Sequence, residues 1–532
     1  LGPEQESFLI DGAHFPLRPD LVMSGRTLLG APPPRGQQLE DHYFGGIPER
    51  IQACIAEVEN ELYKLGVPIV TRHNEVAPSQ FEMAPRFEET DVATDHNQLV
   101  MATLRRVALR HDLQAILHEK PFAGINGSGK HCNWSMSIAA DDHELDGVNL
   151  LKPGQTPHQN IRFLVFLAAV LKGVHKHAGM LRAGIASSGN EHRLGANEAP
   201  PAIISVFMGD MLTDMIDAII HEKGNVSAEE EMMKLGVARI PEIKRDTTDR
   251  NRTSPFAFTG AKFEFRAVGS SQSIAFPVAL LNAAVAEAIA EITDDLKAEL
   301  KKTEKVDDAV FRIVRKVFKE TTPVRFEGNN YSDEWVKEAA KRGLPNLKRS
   351  PEALSQLVTK SSRKCLVGLG ILTDEELESR YHVRLERYIK DILIELHTLR
   401  EMVDTLVLPA VFSYSSQLIE SVSRAKSARL VAIPQVEAAN ALHKRIKELQ
   451  KHRATLEKVI TKAESMHDTL EECAAFLTHQ GADAMASVRG GTRLADRRGR
   501  GACHRAPGRR HSGCGGRLQL LPQKGKDHRG RW

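Results

Sequence analysis

Four separated stretches of this 532-residue chain carry side chains able to hold hard cations. The opening LGPEQES places Glu4 and Glu6 two apart, and NEVAPSQFEMAP sets Glu75 and Glu82 on either side of a proline-containing bend. GINGSGKHCNWSMS runs a glycine-rich loop into a strand bearing His131, and AKFEFRAV alternates Lys262, Glu264 and Arg266 with Phe263 and Phe265. Strand residues two apart share a face, so Glu4 and Glu6 can present their carboxylates together, and the bend can bring those of Glu75 and Glu82 to one point. Five glutamates and one histidine, with no thiolate, suit Mg²⁺ or Mn²⁺ better than Zn²⁺. Such a set exceeds what one ion takes from protein while leaving room for water and substrate, so two or more ions are implied. Further cationic side chains, Arg193 in NEHRLGANEAPP and Arg250 and Arg252 in RDTTDRNRTSP, extend the set. Clustered metals beside arginine and lysine point to phosphoryl chemistry, where protein groups mainly position reactants and neutralise charge.

Each piece alone has a plainer reading. Glutamates two apart are usually a solvated strand face, and one histidine in a glycine-rich stretch is usually structural. NGSGK lacks the spacing of a phosphate loop. KFEFR is the exception: its aromatic face requires a covered strand, which leaves the three charges lining something polar. His175 and His177, two apart on a helical pattern, face different ways and read as structural.

The elements that must position these residues follow from periodicity. FLID, VPIVTRH, KHCNWSMSI and KFEFRAV read as strands, whereas DHNQLVMATLRRVALRHDLQAI and IRFLVFLAAVLKGVHKHAGML show the 3.6-residue period of half-buried helices. SIAFPVALLNAAVAEAIAEI is apolar all round and predicts a buried helix. The division is a segment of mixed strands and helices over 1–280 that carries the metal-ligating stretches, a helical continuation over 281–435, and a helical hairpin or coiled-coil-like segment over 436–488. In the last, Leu442, Ile446, Leu449, Leu456, Ile460, Ala463 and Leu470 fall at threes and fours, with Arg453 and His467 breaking the seam.

Composition, 41% apolar and 27% charged, is that of a soluble globular protein. No uninterrupted run of about 18 apolar residues is present, so no membrane span is expected. The six cysteines form no CxxC pair, which argues against a zinc ribbon or disulfide framework and predicts a reducing cytoplasm. The net charge of +3 hides an asymmetry. Residues 489–532 hold eleven Arg and two Lys against two Asp, a net +11, which leaves −8 on the rest. That tail has ten glycines and no hydrophobic period, so it predicts disorder. It fits a shifted reading frame, and no nucleic-acid partner is expected of the acidic body.

The order GPEQE, NEVAPSQFE, NGSGKH, EHRLGANEAPP, NRTSP and KFEFR resembles the catalytic domain of the glutamine synthetase family. EVAPSQFE, ASSGNEHRLGANEAPPA and VRFEGNNYSDEW resemble its type III branch in particular, and the likeness spans roughly residues 1–488. The resemblance implies an α/β fold, a curved antiparallel sheet backed by helices with a helical C-terminal region. It implies ATP-dependent ligation of ammonia to the γ-carboxylate of L-glutamate through a γ-glutamyl phosphate, in a cytoplasmic ring-shaped homo-oligomer, a dodecamer, with no membrane partner. By resemblance Glu6, Glu75 and Glu82 hold the metal that guides glutamate and ammonia, and Glu4, His131 and Glu264 hold the metal on the ATP phosphates. Asn126 and Gly127 match the loop that holds glutamate, and Arg193 the arginine on its α-carboxylate. Arg252 and Arg266 match the arginines on the transferring phosphoryl group, and Glu198 the flap glutamate that closes the site. Lys262 and Ser135 sit where nucleotide contacts are expected.

Two departures stand out. Many family members carry an arginine where this chain has Ala257, and the stretch from Arg193 to Glu198 is one residue shorter than in commoner branches. The family also places a smaller β-rich domain before the first metal strand, so the chain reads as a fragment. Two alternatives stay open here: a γ-glutamyl ligase using another amine, and a non-catalytic assembly protein that keeps the fold.

Overall fold

Alternation builds the sheet that carries these residues. In β1 (Gly2–Asp11) the odd positions Gln5, Ser7 and Leu9 turn to one face and Glu4, Glu6 and Phe8 to the other. The structure, a computed structural model, describes residues 1–31, 36–141, 146–196, 200–221, 254–303, 305–466 and 468–492, the Pro157 side chain apart. Among them, eight strands form one sheet: β1, β2 (Ile69–Asn74), β3 (Gln80–Pro85), β4 (Leu113–Ile116), β5 (Gly129–Trp134), β6 (Val206–Phe207), β7 (Phe256–Phe258) and β8 (Phe263–Gly269). The order is β2-β3-β1-β5-β8-β7-β6, with β4 paired to the second half of β1. The pairs are antiparallel except β6–β7, which is parallel, so the sheet is mixed rather than wholly antiparallel.

One face is covered by helices. Leu9, Phe81, Met83 and Ala115 pack with α1 (Glu49–Lys64) and α2 (Thr90–Arg110) through Cys54, Val58, Leu104 and Val107. Further along, Cys132, Phe263 and Phe265 join the main core with α3 (Pro157–Lys176), α4 (Ala178–Gly184) and the buried helix α6 (Ala275–Leu300). Phe256 stacks on Phe263 with ring centroids 4.7 Å apart. Between α4 and α6 in sequence lies the short α5 (Ser188–Arg193), capped by Ser187, whose hydroxyl accepts from Asn190 N.

Two helical readings are corrected. The pattern running to Ile116 stops at Arg110, and Leu113–Ile116 is strand β4. Asp112 makes the break with φ +53°, a left-handed conformation no helix continues through, after which Leu-Gln-Ala-Ile finds a partner in β1. The helix read through 161–181 turns by 76° between α3 and α4. His177 sits at that bend, with Nε2 2.5 Å from Glu287 Oε2.

The C-terminal helices are α7 (Asp374–Met402), α8 (Leu408–Ser427), α9 (Ile433–Glu464) and α10 (Ala482–Thr492). Leu442, Ile446, Leu449, Leu456, Ile460 and Ala463 are buried, and Arg453 pairs with Asp404 at 2.7 Å. His467 and residues 493–532 lie outside the described residues. Two helical stretches, Ala275–Leu300 and one within Asp374–Ser427, are long and apolar enough to cross a membrane by length and composition. The expectation that no stretch qualifies counted only uninterrupted runs. The first of the two is largely enclosed by the core.

Candidate active site

Strand register assembles the carboxylates. Glu6 on β1 stands opposite Glu82 on β3, and Glu82 stands opposite His73 on β2. On the other side Glu4 faces His131 on β5, and Asn133 faces Glu264 on β8. All lie on the sheet face away from α1 and α2, because their odd-numbered or even-numbered neighbours, Leu9, Phe81, Cys132 and Phe265, are in the core. One row of cross-strand neighbours therefore carries the site over five strands.

Three overlapping groups result, each with ligand atoms within 4.8 Å of one another: Glu4, His131 and Glu264; Glu6, Glu82 and His131; His73, Glu75 and Glu82. His131 Nδ1 is 3.1 Å from Glu4 Oε2 and 3.5 Å from Glu264 Oε1, while its Nε2 is 3.8 Å from Glu6 Oε1. The six residues expected as ligands are thus brought together. His73 joins them unforeseen, with Nε2 2.7 Å from Glu82 Oε1 and Nδ1 3.6 Å from Glu75 Oε1. Its only sequence signal is its place two residues before Glu75; the cross-strand register decides it.

The surrounding hydrogen bonds fix the carboxylates. Glu6 Oε2 accepts from Gly129 N at 2.8 Å and Gln80 Nε2 at 3.2 Å. Glu4 Oε1 accepts from Asn133 Nδ2 at 2.9 Å, and Glu264 Oε2 from Arg266 Nε at 2.9 Å. Gln80 and Asn133 have no mark in the sequence other than strand parity.

Burial and charge crowding shift the proton affinities of these groups. Burial, together with the charges of Glu6 and Glu82, holds the Glu75 carboxyl well above its usual range. Burial pushes Glu82 up to about 7 against the opposing hydrogen bond from His73. His73 itself is raised to about 9 by that hydrogen bond, burial opposing. Burial pulls His131 down, but its bonds to Glu264 and Glu4 outweigh it and its net shift is upward. Burial likewise raises Glu264, but the Arg266 charge and His131 bring it below the usual range. Carboxylates held this close favour protons in their midst, and a divalent cation relieves the same excess charge. The oxygen-rich donor set, with one or two imidazoles, fits Mg²⁺ or Mn²⁺.

Two comparisons bear on this geometry. The glutamine synthetase catalytic domain matches residues 1–204, and the glutamine synthetase C-terminal domain matches residues 309–426. The chain belongs to the glutamine synthetase family. A Type-3 glutamine synthetase of Dictyostelium discoideum is 49% identical over 80% of this chain and 57% of its own length. A glutamine synthetase of Bacteroides fragilis is 45% identical over 87% of this chain and 63% of its own length. The chain therefore spans about six-tenths of these curated relatives. A solved GmaS/ADP complex aligns at TM-score 0.44 and 19% identity over 73% of this chain and 69% of that one, too distant a likeness to carry an argument.

Against the glutamine synthetase pattern, the remaining residues fall as follows. Asn126 is buried and exchanges two bonds with Gln37, donating its N–H to Oε1 at 2.8 Å and accepting from Nε2 at 2.9 Å on Oδ1. Arg193 is 2% exposed, and its guanidinium donates to Arg266 O at 3.1 Å and Val268 O at 3.3 Å. A Cβ on Gly129 would collide with that guanidinium, and one on Gly127 with Glu119 O and Arg193; the glycines of NGSG make room for Arg193. Lys262 donates to Asn133 Oδ1 and lies 5.4 Å from the Phe87 ring centroid. Ser135 follows the end of β5, and its hydroxyl donates to Asn149 Oδ1 at 2.7 Å and Ala261 O at 3.1 Å. Ala257 is buried directly opposite Glu264, so a methyl stands where an arginine is common. Glu198, Arg250 and Arg252 lie outside the described residues.

Proposed function

We propose that this chain carries the catalytic face of a glutamate–ammonia ligase. ATP phosphorylates the γ-carboxylate of L-glutamate, and ammonia displaces phosphate from the acyl phosphate to give glutamine. The observation that supports this most is the run of three carboxylate–histidine groups with Arg266 at one end. Glu4, His131 and Glu264 would hold one Mg²⁺ or Mn²⁺, and Glu6, Glu75 and Glu82 another. Bound there, such ions supply charge neutralisation for phosphate oxygens and carboxylate.

The chain's own groups do the rest. A carboxylate is a poor electrophile until one oxygen becomes a good leaving group, and its meeting with a phosphate collects negative charge. Arg266, 5% exposed and bonded to Glu264, offsets that charge in this reading, with Arg252 as its companion. Asn126 and Gly127 position glutamate with Arg193. Lys262 and Ser135 contact the nucleotide, and Glu198 closes over the site to exclude water. The relatives' names support glutamine synthesis; cytoplasmic location and a ring-forming homo-oligomer are proposed with it.

The test is ADP release from ATP with Mg²⁺ or Mn²⁺, run with and without glutamate and ammonia. Release that needs both supports the ligase. Release without glutamate overturns it, and faster turnover with methylamine than with ammonia replaces it with a γ-glutamyl ligase of another amine. Tight Mn²⁺ binding with no release under any combination assigns the chain to assembly without catalysis.

A further inference from the structure

A cavity of about 780 Å³ opens between α7, the segment leading into α6 and the stretch after β4. None of the proposed metal ligands lines it. One wall is Arg380, Arg384 and Arg387 on α7, which at spacings of four and three share a helix face. Phe276 and the hydroxyl-bearing Ser187, Ser188, Ser271 and Ser273 also line it.

Arg384 is the unusual member. It is half-buried with its guanidinium 3.8 Å from the Phe276 ring centroid. Among the described residues neither Arg384 nor Arg380 has a carboxylate within salt-bridge reach. Burial, then the like charges of Arg380 and Arg387, pull Arg384 down to about 10. The carboxylates that line the cavity already hold donors other than Arg380 and Arg384, two of those donors being the lining hydroxyls of Ser188 and Ser271. Glu395 accepts from Arg26 Nη2 at 2.8 Å, Asp391 accepts from Ser188 Oγ at 2.7 Å, and Glu119 accepts from Ser271 Oγ at 2.6 Å. Asp391 also lies 3.9 Å from Arg387 Nε, at the long limit of an ion pair. A guanidinium removed from water and crowded by like charge costs free energy until an anion joins it.

We propose that this cavity is a second anion site that takes a phosphate-bearing small molecule. Arg380, Arg384 and Arg387 hold the phosphate, and the Phe276 wall takes the less polar part of the ligand. Three guanidiniums offer more donors than one carboxylate can accept, whereas a phosphate presents three oxygens in a tetrahedral array. The volume is that of a small-molecule pocket rather than a macromolecular groove. Glu119 lines the cavity and also abuts Gly127, so the site is one residue away from the Asn126–Gly127 loop. The proposal does not rest on the ligase reading.

The test is calorimetric titration of the full chain with inorganic pyrophosphate in EDTA, which withholds divalent cations from the carboxylate row. Saturable binding is expected, weakened at least tenfold by Arg384→Gln. The exposed pair Arg380→Gln/Arg387→Gln, whose loss leaves the core untouched, is expected to weaken it similarly. Arg266→Gln is expected to leave it unchanged. Absence of binding at millimolar pyrophosphate, unchanged affinity in the arginine variants, or loss on Arg266→Gln would overturn the site. Equal or tighter binding of citrate would overturn the phosphate class.

Discussion

His73 stands two residues before Glu75, yet its importance comes from the partner strand, where Glu82 lies opposite and 2.7 Å away. It both supplies a candidate ligand atom and orients the carboxylate of Glu82. Groups that orient metal ligands typically contribute tenfold to a hundredfold in affinity. His73→Ala is therefore expected to weaken Mn²⁺ binding by about 10- to 100-fold, read by titration against a competing chelator; unchanged affinity would remove His73 from the site. Lys130 makes a second residue-scale argument. It is fully buried, donates to Asn97 Oδ1 at 2.9 Å and to Gln272 O, and burial pulls its ammonium down to about 7. The unfolded chain holds that proton up to about pH 10.4. Between about pH 7 and 10 the unfolded state thus binds more protons than the folded one, and this lysine makes stability rise with pH. The slope reaches about 1.4 kcal/mol per pH unit. Lys130→Met is expected to flatten this rise and to lower stability most at pH 9.5, where the wild-type amine is buried without a charge and the variant leaves its acceptors stranded. Melting curves at pH 7 and 9.5 give both quantities, and an undiminished slope would contradict the assignment.

At the scale of elements, β8 shows how far local pattern reaches. The alternation in KFEFRAV announces a strand with an aromatic face and a charged face, and the structure buries Phe263 and Phe265 while Glu264 and Arg266 face the site. Phe263→Ala would remove a ring packed between Phe256 and Phe258. The expected cost is about 3–5 kcal/mol, measured by urea unfolding, with Mn²⁺ affinity falling as the strand loses its backing. What stayed illegible has identifiable causes. The apolar spacing through Leu113–Ile116 suits a helix as well as a strand, and only Asp112 in its left-handed conformation and the pairing with β1 select the strand. At the bend His177 meets Glu287, 110 residues away in the chain, a pairing that local periodicity does not announce. His73, Gln80 and Asn133 are site residues by register, and register between distant strands leaves no trace in local periodicity. The candidate carboxylates themselves, in contrast, were legible as residue types, because Glu4, Glu6, Glu75, Glu82 and Glu264 carry their chemistry in their identity wherever register puts them.

For the whole molecule, the metal row couples the site to global stability. Glu4 and Glu6 lie at the start of the chain, Glu75 and Glu82 on the next hairpin, and Glu264 beyond α3 and α4; unfolding separates all of them. Residues 1–492 form one compact unit, so a cation bound across five strands binds the folded state and has no comparable site in the unfolded chain. Mass action then stabilises the fold by about 2.7 kcal/mol when free cation is a hundred times its Kd. A Tm that rises steadily with Mn²⁺ is expected, by a few degrees for a chain of this size. In Glu264→Gln the rise should be smaller, and the metal-free Tm should fall, because, against burial, Arg266 and His131 hold this carboxylate below its usual range and its charge therefore stabilises the fold. Equal Mn²⁺ dependence in wild type and variant would place the cation elsewhere. A metal-free Tm that stays level in the variant would mean that the bond from Arg266 to Glu264 contributes nothing to the fold, whereas a fall fits a guanidinium left stranded when the carboxylate is neutralised.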